Sequence, residues 1–91
     1  MTLVELVTEL TGAELVLRRE DEMLMVAVLA TPAGRRVLAM ERTYRQGIHV
    51  LLDPTEEEVE MARSGDLWQL WNESRAEYLS SVIGLSLNIF F

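Results

Sequence analysis

Met23-Leu24-Met25-Val26-Ala27-Val28-Leu29-Ala30 is the stretch of this chain that decides its fold. Every residue in it is apolar, so an extended strand here would present hydrophobic side chains on both of its faces. The run is also far shorter than the ~20 apolar residues that a membrane-spanning helix needs. It is therefore predicted to be the central strand of a sheet.

The residues on either side of this run predict an antiparallel meander. Alternating apolar and polar residues over 13–18 predict a half-exposed strand, which the acidic turn Glu20-Asp21-Glu22 joins to the central one. Thr31-Pro32-Ala33-Gly34 is a turn sequence, and residues 35–44 return as a third strand. Ile48-His49-Val50-Leu51-Leu52 is short, apolar and partly β-branched, which predicts a fourth strand.

Helices are predicted before and after these strands. Thr2 and Glu5 fit a capping box, and apolar residues at helical spacing predict a helix over residues 2–11. Asp53-Pro54-Thr55-Glu56 places a proline at the first helical position after the N-cap residue Asp53, and this helix ends by Ser64-Gly65. Asp66 then opens a second helix that extends to Gly84.

These elements predict an α+β fold in a single domain over residues 1–91. An antiparallel sheet of three to five strands carries an N-terminal helix and two C-terminal helices on one face. The last residues, 85–91, alternate in hydrophobicity and predict a further, C-terminal strand. That strand either joins the sheet of its own chain or adds to the sheet of another subunit.

Composition limits the classes of function. Fifteen acidic residues against eight basic ones give a net charge of −7, which repels nucleic-acid phosphate and attracts basic proteins. This charge argues against general nucleic-acid binding, and the shortness of the longest apolar run argues against a membrane-spanning role. The absence of cysteine agrees with a reducing compartment, so a cytoplasmic protein is expected.

No residue pattern in the chain indicates catalysis. His49 is the only histidine, no nucleophile motif accompanies it, and the glycines are isolated rather than grouped in a phosphate loop. We therefore predict that the protein is not an enzyme and uses no catalytic residue, metal or cofactor. The alternative is a small ligand-binding or enzymatic domain with a pocket near His49.

The leading prediction is a non-enzymatic protein-interaction module whose partner has a basic surface. One specific form is an inhibitor that occupies the nucleic-acid-binding surface of another protein, as phage-encoded inhibitors and nucleic-acid mimics do. Size and charge support this form, and no motif does. The acidic face is predicted to consist of Glu20, Asp21, Glu22, Asp53, Glu56, Glu57, Glu58 and Glu60.

A basic segment offers a second alternative, the binding of RNA or phosphate. Four of the eight arginines lie close together in the chain: Arg35, Arg36, Arg42 and Arg45. The competing interpretation is an edge strand that its charges protect from aggregation.

Large apolar residues near the C-terminus predict self-association, in the form of a homodimer. Tryptophan is enriched at interface hot spots, and more apolar surface is present than a small domain easily buries. The residues predicted to carry the contact are Trp68, Trp71, Leu87, Ile89 and Phe91.

Overall fold

A four-stranded antiparallel meander followed by two helices forms the fold. The computed structural model describes residues 4, 5, 8, 9, 12–42, 48–73 and 77–79. Each strand pairs with the next along the chain: β1 (Glu14–Asp21), β2 (Leu24–Ala30), β3 (Arg36–Arg42) and β4 (Ile48–Leu52). The helices are α1 (Glu56–Ser64) and α2 (Leu67–Glu73), and a short strand β5 (Glu77–Leu79) then pairs with β4. Neither helix is long and apolar enough to cross a membrane.

The apolar run is buried on both faces of the sheet, as its position in the centre requires. Alternate residues of β2 point to opposite sides, because successive side chains of a strand alternate. On the side that we call the helical face, the core consists of Leu24, Val26, Val28, Leu38, Met40, Leu51, Ala62, Leu67 and Leu70. On the opposite face it consists of Val4, Ala13, Met25, Ala27, Leu29, Val37, Ala39, Ile48 and Val50.

The predicted N-terminal helix is wrong as an element of this fold. Of residues 2–11 the structure describes only Val4, Glu5, Thr8 and Glu9; the backbone of these four is helical, but the element order contains no N-terminal helix. Val4 is instead fixed by long-range contacts, because its side chain is buried and its N–H donates to Glu41 Oε1 over 3.1 Å. A local helical pattern this short is marginal by itself, so tertiary contacts decide its structure.

The second C-terminal helix is much shorter than predicted. It ends at Glu73 rather than near Gly84, and residues 77–79 form β5. The physical reason lies outside the segment, in the edge of β4. Ile48, His49 and Val50 on that edge pair with β5. Hydrogen bonding to an open strand edge outweighs a weak helical pattern. The predicted strand over 85–91 lies outside the described residues.

A β-bulge interrupts the alternation predicted for the first strand. Leu15 pairs with Leu29 and Leu17 pairs with Val28, so Val16 is an extra residue without its own partner on β2. The bulge places Leu15 and Leu17 on opposite faces, whereas uniform alternation predicts them on the same face.

The start of α1 also differs from the prediction, because Thr55 rather than Asp53 is its N-cap. The Thr55 hydroxyl accepts from the Glu58 N–H over 3.2 Å, and Glu58 Oε1 accepts from the Thr55 N–H over 2.8 Å. These reciprocal bonds form a capping box. Asp53 has a left-handed backbone, with φ of 52°, and donates its N–H to the Arg36 carbonyl.

Replacing Thr55 by Ala is expected to lower the free energy of unfolding by about 1 kcal/mol, because the Glu58 N–H loses its acceptor. Urea denaturation measures the change. Thr55→Ser keeps a hydroxyl acceptor and should retain most of the stability. Equal losses in the two variants would contradict a capping role for the hydroxyl.

Candidate functional site

A groove between α1 and α2 combines an apolar floor with acidic walls. The described residues that line it are Glu57, Glu58, Met61, Leu70 and Glu73. Leu70 is buried and Met61 half-buried, whereas Glu57 and Glu73 are exposed. The cavity volume is about 180 Å³, below the ~300 Å³ at which small-molecule pockets usually begin. The groove therefore has the size of a long side chain rather than of a cofactor.

Helical spacing brings the lining residues together. Glu57 and Met61 are four residues apart on α1, and Leu70 and Glu73 are three apart on α2, so each pair shares a helix face. The first turn of α2 is fixed by Asp66, as predicted, because its Oδ1 accepts from the N–H groups of residues 68 and 69. The first turn of each helix that forms the groove is therefore capped.

The Glu57 and Glu73 carboxylates line the groove and are exposed to solvent. In the part of the chain that the structure describes, neither Glu57 nor Glu73 forms an ion pair. Glu73 accepts a hydrogen bond of 3.3 Å from the neutral amide of Gln69. A cation bound in the groove would therefore meet two carboxylates, those of Glu57 and Glu73, that form no ion pair with a described arginine.

The structure does not place the eight acidic residues of the predicted face on one surface. Glu20, Asp21 and Glu22 lie at the connection between β1 and β2, at the start of β2. Asp53, Glu56, Glu57, Glu58 and Glu60 follow β4, near the opposite end of β2, where Arg36 pairs with Ala30. Only Glu57 and Glu58 of the predicted set line the groove.

Two of the acidic residues are paired with the predicted basic segment. Arg35 lies 3.4 Å from Asp53, and Arg36 lies 2.6 Å from Glu56. The antiparallel pairing of β3 with β4 brings these charges together, because Val37 lies opposite Leu52. The local separation of charge in the sequence therefore disappears at this end of the sheet.

Glu60 lies outside the groove and has a perturbed acidity. A hydrogen bond from the Ser64 hydroxyl (2.9 Å) and a second from the Arg63 guanidinium (2.7 Å) lower the pKa of Glu60 below its ordinary value. Because the folded-state pKa is depressed, the carboxylate favours the folded state above its ordinary pKa. This contribution is lost as the pH falls through the lowered pKa.

Replacing Ser64 by Ala is expected to raise the pKa of Glu60, because the Ser64 hydrogen bond is the largest cause of its depression. An NMR titration of the Glu60 side-chain carboxyl measures the shift. Gln69→Ala serves as the control, because Gln69 bonds Glu73 instead. An unchanged pKa of Glu60 in Ser64→Ala would contradict this assignment.

The remaining predicted arginines are separated from Arg35 and Arg36. Arg42 lies at the other end of β3, where its guanidinium carbon is 5.2 Å from the Trp68 ring centroid and 5.8 Å from that of Trp71. These distances are typical of cation–π contacts. Arg45 lies outside the described residues, so three of the four arginines can be placed and they do not form one anion site.

His49 lies beside Trp71, one of the two tryptophans that Arg42 contacts, and we call Trp68, Trp71 and His49 the aromatic cluster. The His49 ring centroid is 4.1 Å from that of Trp71, with the planes tilted by 51°. Trp68 and Trp71 also pack against the core of the helical face, which accounts for part of their surface. Leu87, Ile89 and Phe91, the other residues predicted to mediate self-association, lie outside the described residues.

Sequence reasoning missed three of the five described residues that line the groove: Met61, Leu70 and Glu73. The spacing of Glu57 and Met61 is visible in the sequence, but the packing of α1 on α2 is not. It also missed Arg19, whose Nη1 donates to the carbonyls of Ala62 and Gly65 over 3.0 and 3.1 Å. These bonds attach the end of α1 to β1.

No protein-family model matches the chain, and no curated protein or solved structure matches it either. In the described ranges, no group of three or more His, Asp or Glu side chains is placed to hold a metal ion. The class that the fold and site define is a small α+β domain with an acid-rimmed apolar groove between two helices.

Proposed function

We propose that the protein is a non-enzymatic interaction module that binds a basic, amphipathic segment of a partner protein in the groove between α1 and α2. An apolar side chain of that segment contacts Met61 and Leu70. Lysine or arginine side chains beside it pair with Glu57 and Glu73. The observation that carries the proposal is the apolar floor beside the Glu57 and Glu73 carboxylates, for which the described residues provide no ion pair.

Three physical terms favour such an occupant. The net charge of −7 raises the rate at which a basic partner arrives. The partly apolar floor gives a contact that does not weaken with salt, and a cavity of about 180 Å³ fits one side chain. An amphipathic helix presents an apolar residue with basic neighbours one turn away, which matches this layout.

The fuller form of the proposal is an inhibitor in the cytoplasm. A nucleic-acid-binding surface is rich in lysine and arginine, so an acid-rimmed groove that occupies it would compete with phosphate. The acidic charge and the absence of cysteine support this form. Phosphate binding by the chain itself is less well supported, because Arg35 and Arg36 already form ion pairs that an anion would have to replace.

The test is a titration with a synthetic amphipathic helical peptide of leucine and arginine, followed by the amide shifts of the labelled protein. Glu57→Lys and Glu73→Lys are each expected to weaken binding about tenfold, because a rim carboxylate becomes a like charge. The shifts should be centred on Met61 and Leu70.

Glu60→Lys is the matched control, since it changes the net charge equally on the same helix but outside the groove. It is expected to weaken binding of the peptide by less than about twofold. Equal losses in all three variants would show that overall charge, and not the groove, binds the peptide.

A further inference from the structure

β1 is an edge strand whose outer side has no partner within the described part of the chain. The strand order is β1-β2-β3-β4-β5, and among the described strands β1 pairs with β2 alone. The strand is eight residues long, and alternate residues of an edge strand direct their N–H and C=O groups outward, where no other described strand meets them. Such an edge is a template for another strand unless it is blocked.

Exposed apolar side chains mark the middle of this edge. Leu15 is 48% exposed and Val16 is 53% exposed. Both lie at the bulge, where Val16 and Leu17 together oppose Val28 and so share the helical face. Water contact at two adjacent apolar residues of an edge strand favours a partner that covers them.

We propose that β1 pairs antiparallel with β1 of a second copy, about a two-fold axis between Val16 and Leu17. In this register Glu14 lies opposite Arg19, Leu15 opposite Arg18, and Val16 opposite Leu17. The axis repeats each pair, so two apolar Val16–Leu17 pairs at the centre are flanked by Leu15–Arg18 pairs and then by two Glu14–Arg19 pairs. The sequence Glu-Leu-Val-Leu-Arg-Arg is thus complementary to itself in charge.

The pleat of β1 supports this register. Glu14 and Arg19 pair with Ala30 and Val26 of β2, and both lie on the helical face. Leu15 and Arg18 lie on the opposite face, so each proposed pair joins residues of one face. Arg19 is also held in place by its bonds to the end of α1, which fixes a cation where the second copy brings Glu14.

Neighbouring registers are disfavoured for separate reasons. An axis through Val16 places Leu15 opposite Leu17, but the bulge puts these two residues on opposite faces. An axis between Leu17 and Arg18 places Glu14 opposite Asp21 and thus sets like charges against each other. The proposed register avoids both conflicts.

Sedimentation equilibrium over a series of protein concentrations tests this interface. The unmodified chain is expected to dimerise, and Val16→Lys should raise the dimer dissociation constant more than about tenfold, because an edge lysine blocks pairing. Glu14→Arg should have a similar effect, since it faces Arg19. Both positions are exposed, so thermal melting by circular dichroism should show that each variant stays folded.

Met23→Lys is the matched control, because Met23 is 47% exposed but lies in the turn after β1. It should change the dissociation constant by less than about twofold. A monomer at every concentration would overturn the proposal. So would a dimer that Trp68→Ala dissociates and Val16→Lys does not, because its interface would lie at the aromatic cluster. Neither result depends on peptide binding in the groove.

Discussion

Leu38→Ala is expected to lower the free energy of unfolding by about 3 kcal/mol, within the ~2–5 kcal/mol range of buried leucine truncations. Leu38 is fully buried in β3, and it lies between Val28 of β2 and Leu51 of β4. Neighbours held in two strand ladders cannot collapse into the space that the side chain leaves. Urea denaturation followed by tryptophan fluorescence measures the loss.

The same substitution at two other positions provides the comparison. Leu29→Ala, on the opposite face, should cost about as much, because Leu29 is also fully buried. Leu15→Ala should cost less than about 1 kcal/mol, since its side chain is half exposed and leaves no closed cavity. Similar losses at Leu15 and Leu38 would contradict the placement of β3 in the centre of the sheet.

The strands were predictable because their signal is local. The run Met23–Ala30 is apolar on both faces, which only a central strand allows, and β2 spans Leu24–Ala30. Turn residues then restrict where β3 and β4 begin. The cap of α1 was also readable, because Thr55 and Glu58 have capping-box spacing. The proline after Asp53 favoured the wrong one of two neighbouring cap residues.

The segment 77–79 shows why the rest of the fold was not predictable. Tyr and Leu occur in both helices and strands, and the sequence pattern there continues that of α2. What decides the outcome is the free edge of β4, which exists only after the meander has formed. A preference set by a distant strand leaves no local trace.

The candidate site also combines residues that were predictable from the sequence with residues that were not. Glu57 and Glu58 were predictable, because charge at the start of a helix is visible in the sequence. Their position beside Leu70 and Glu73 depends on the packing of α1 against α2, two helices that a short connection through Gly65 joins. The pairing of Arg35 with Asp53 likewise arises from strand register, not from any sequence periodicity.

Gly65→Ala is expected to destabilise the domain by about 1–3 kcal/mol, through overpacking rather than backbone strain. Its φ of −87° suits any residue. An added Cβ, however, would contact the Met61 sulfur, lie 2.9 Å from the Met61 carbonyl oxygen and lie 3.0 Å from its Cα. The side chain can move, but the backbone of α1 must shift as well. Urea denaturation measures the cost.

Gly34→Ala and a double variant separate the causes. At Gly34 nothing lies within 4 Å of an added Cβ, so its cost of about 1 kcal/mol comes from the positive φ of 85°. Adding Met61→Ala to Gly65→Ala removes the contact with sulfur and leaves the contact with the carbonyl, so only part of the stability should return. Met61 also forms part of the groove floor. Gly65→Ala should therefore weaken binding of the leucine–arginine peptide, whereas Gly34→Ala should not. Full stability of Gly65→Ala would mean that the connection does not fix α1 against α2, and the groove would then lack the rigidity that selective binding requires.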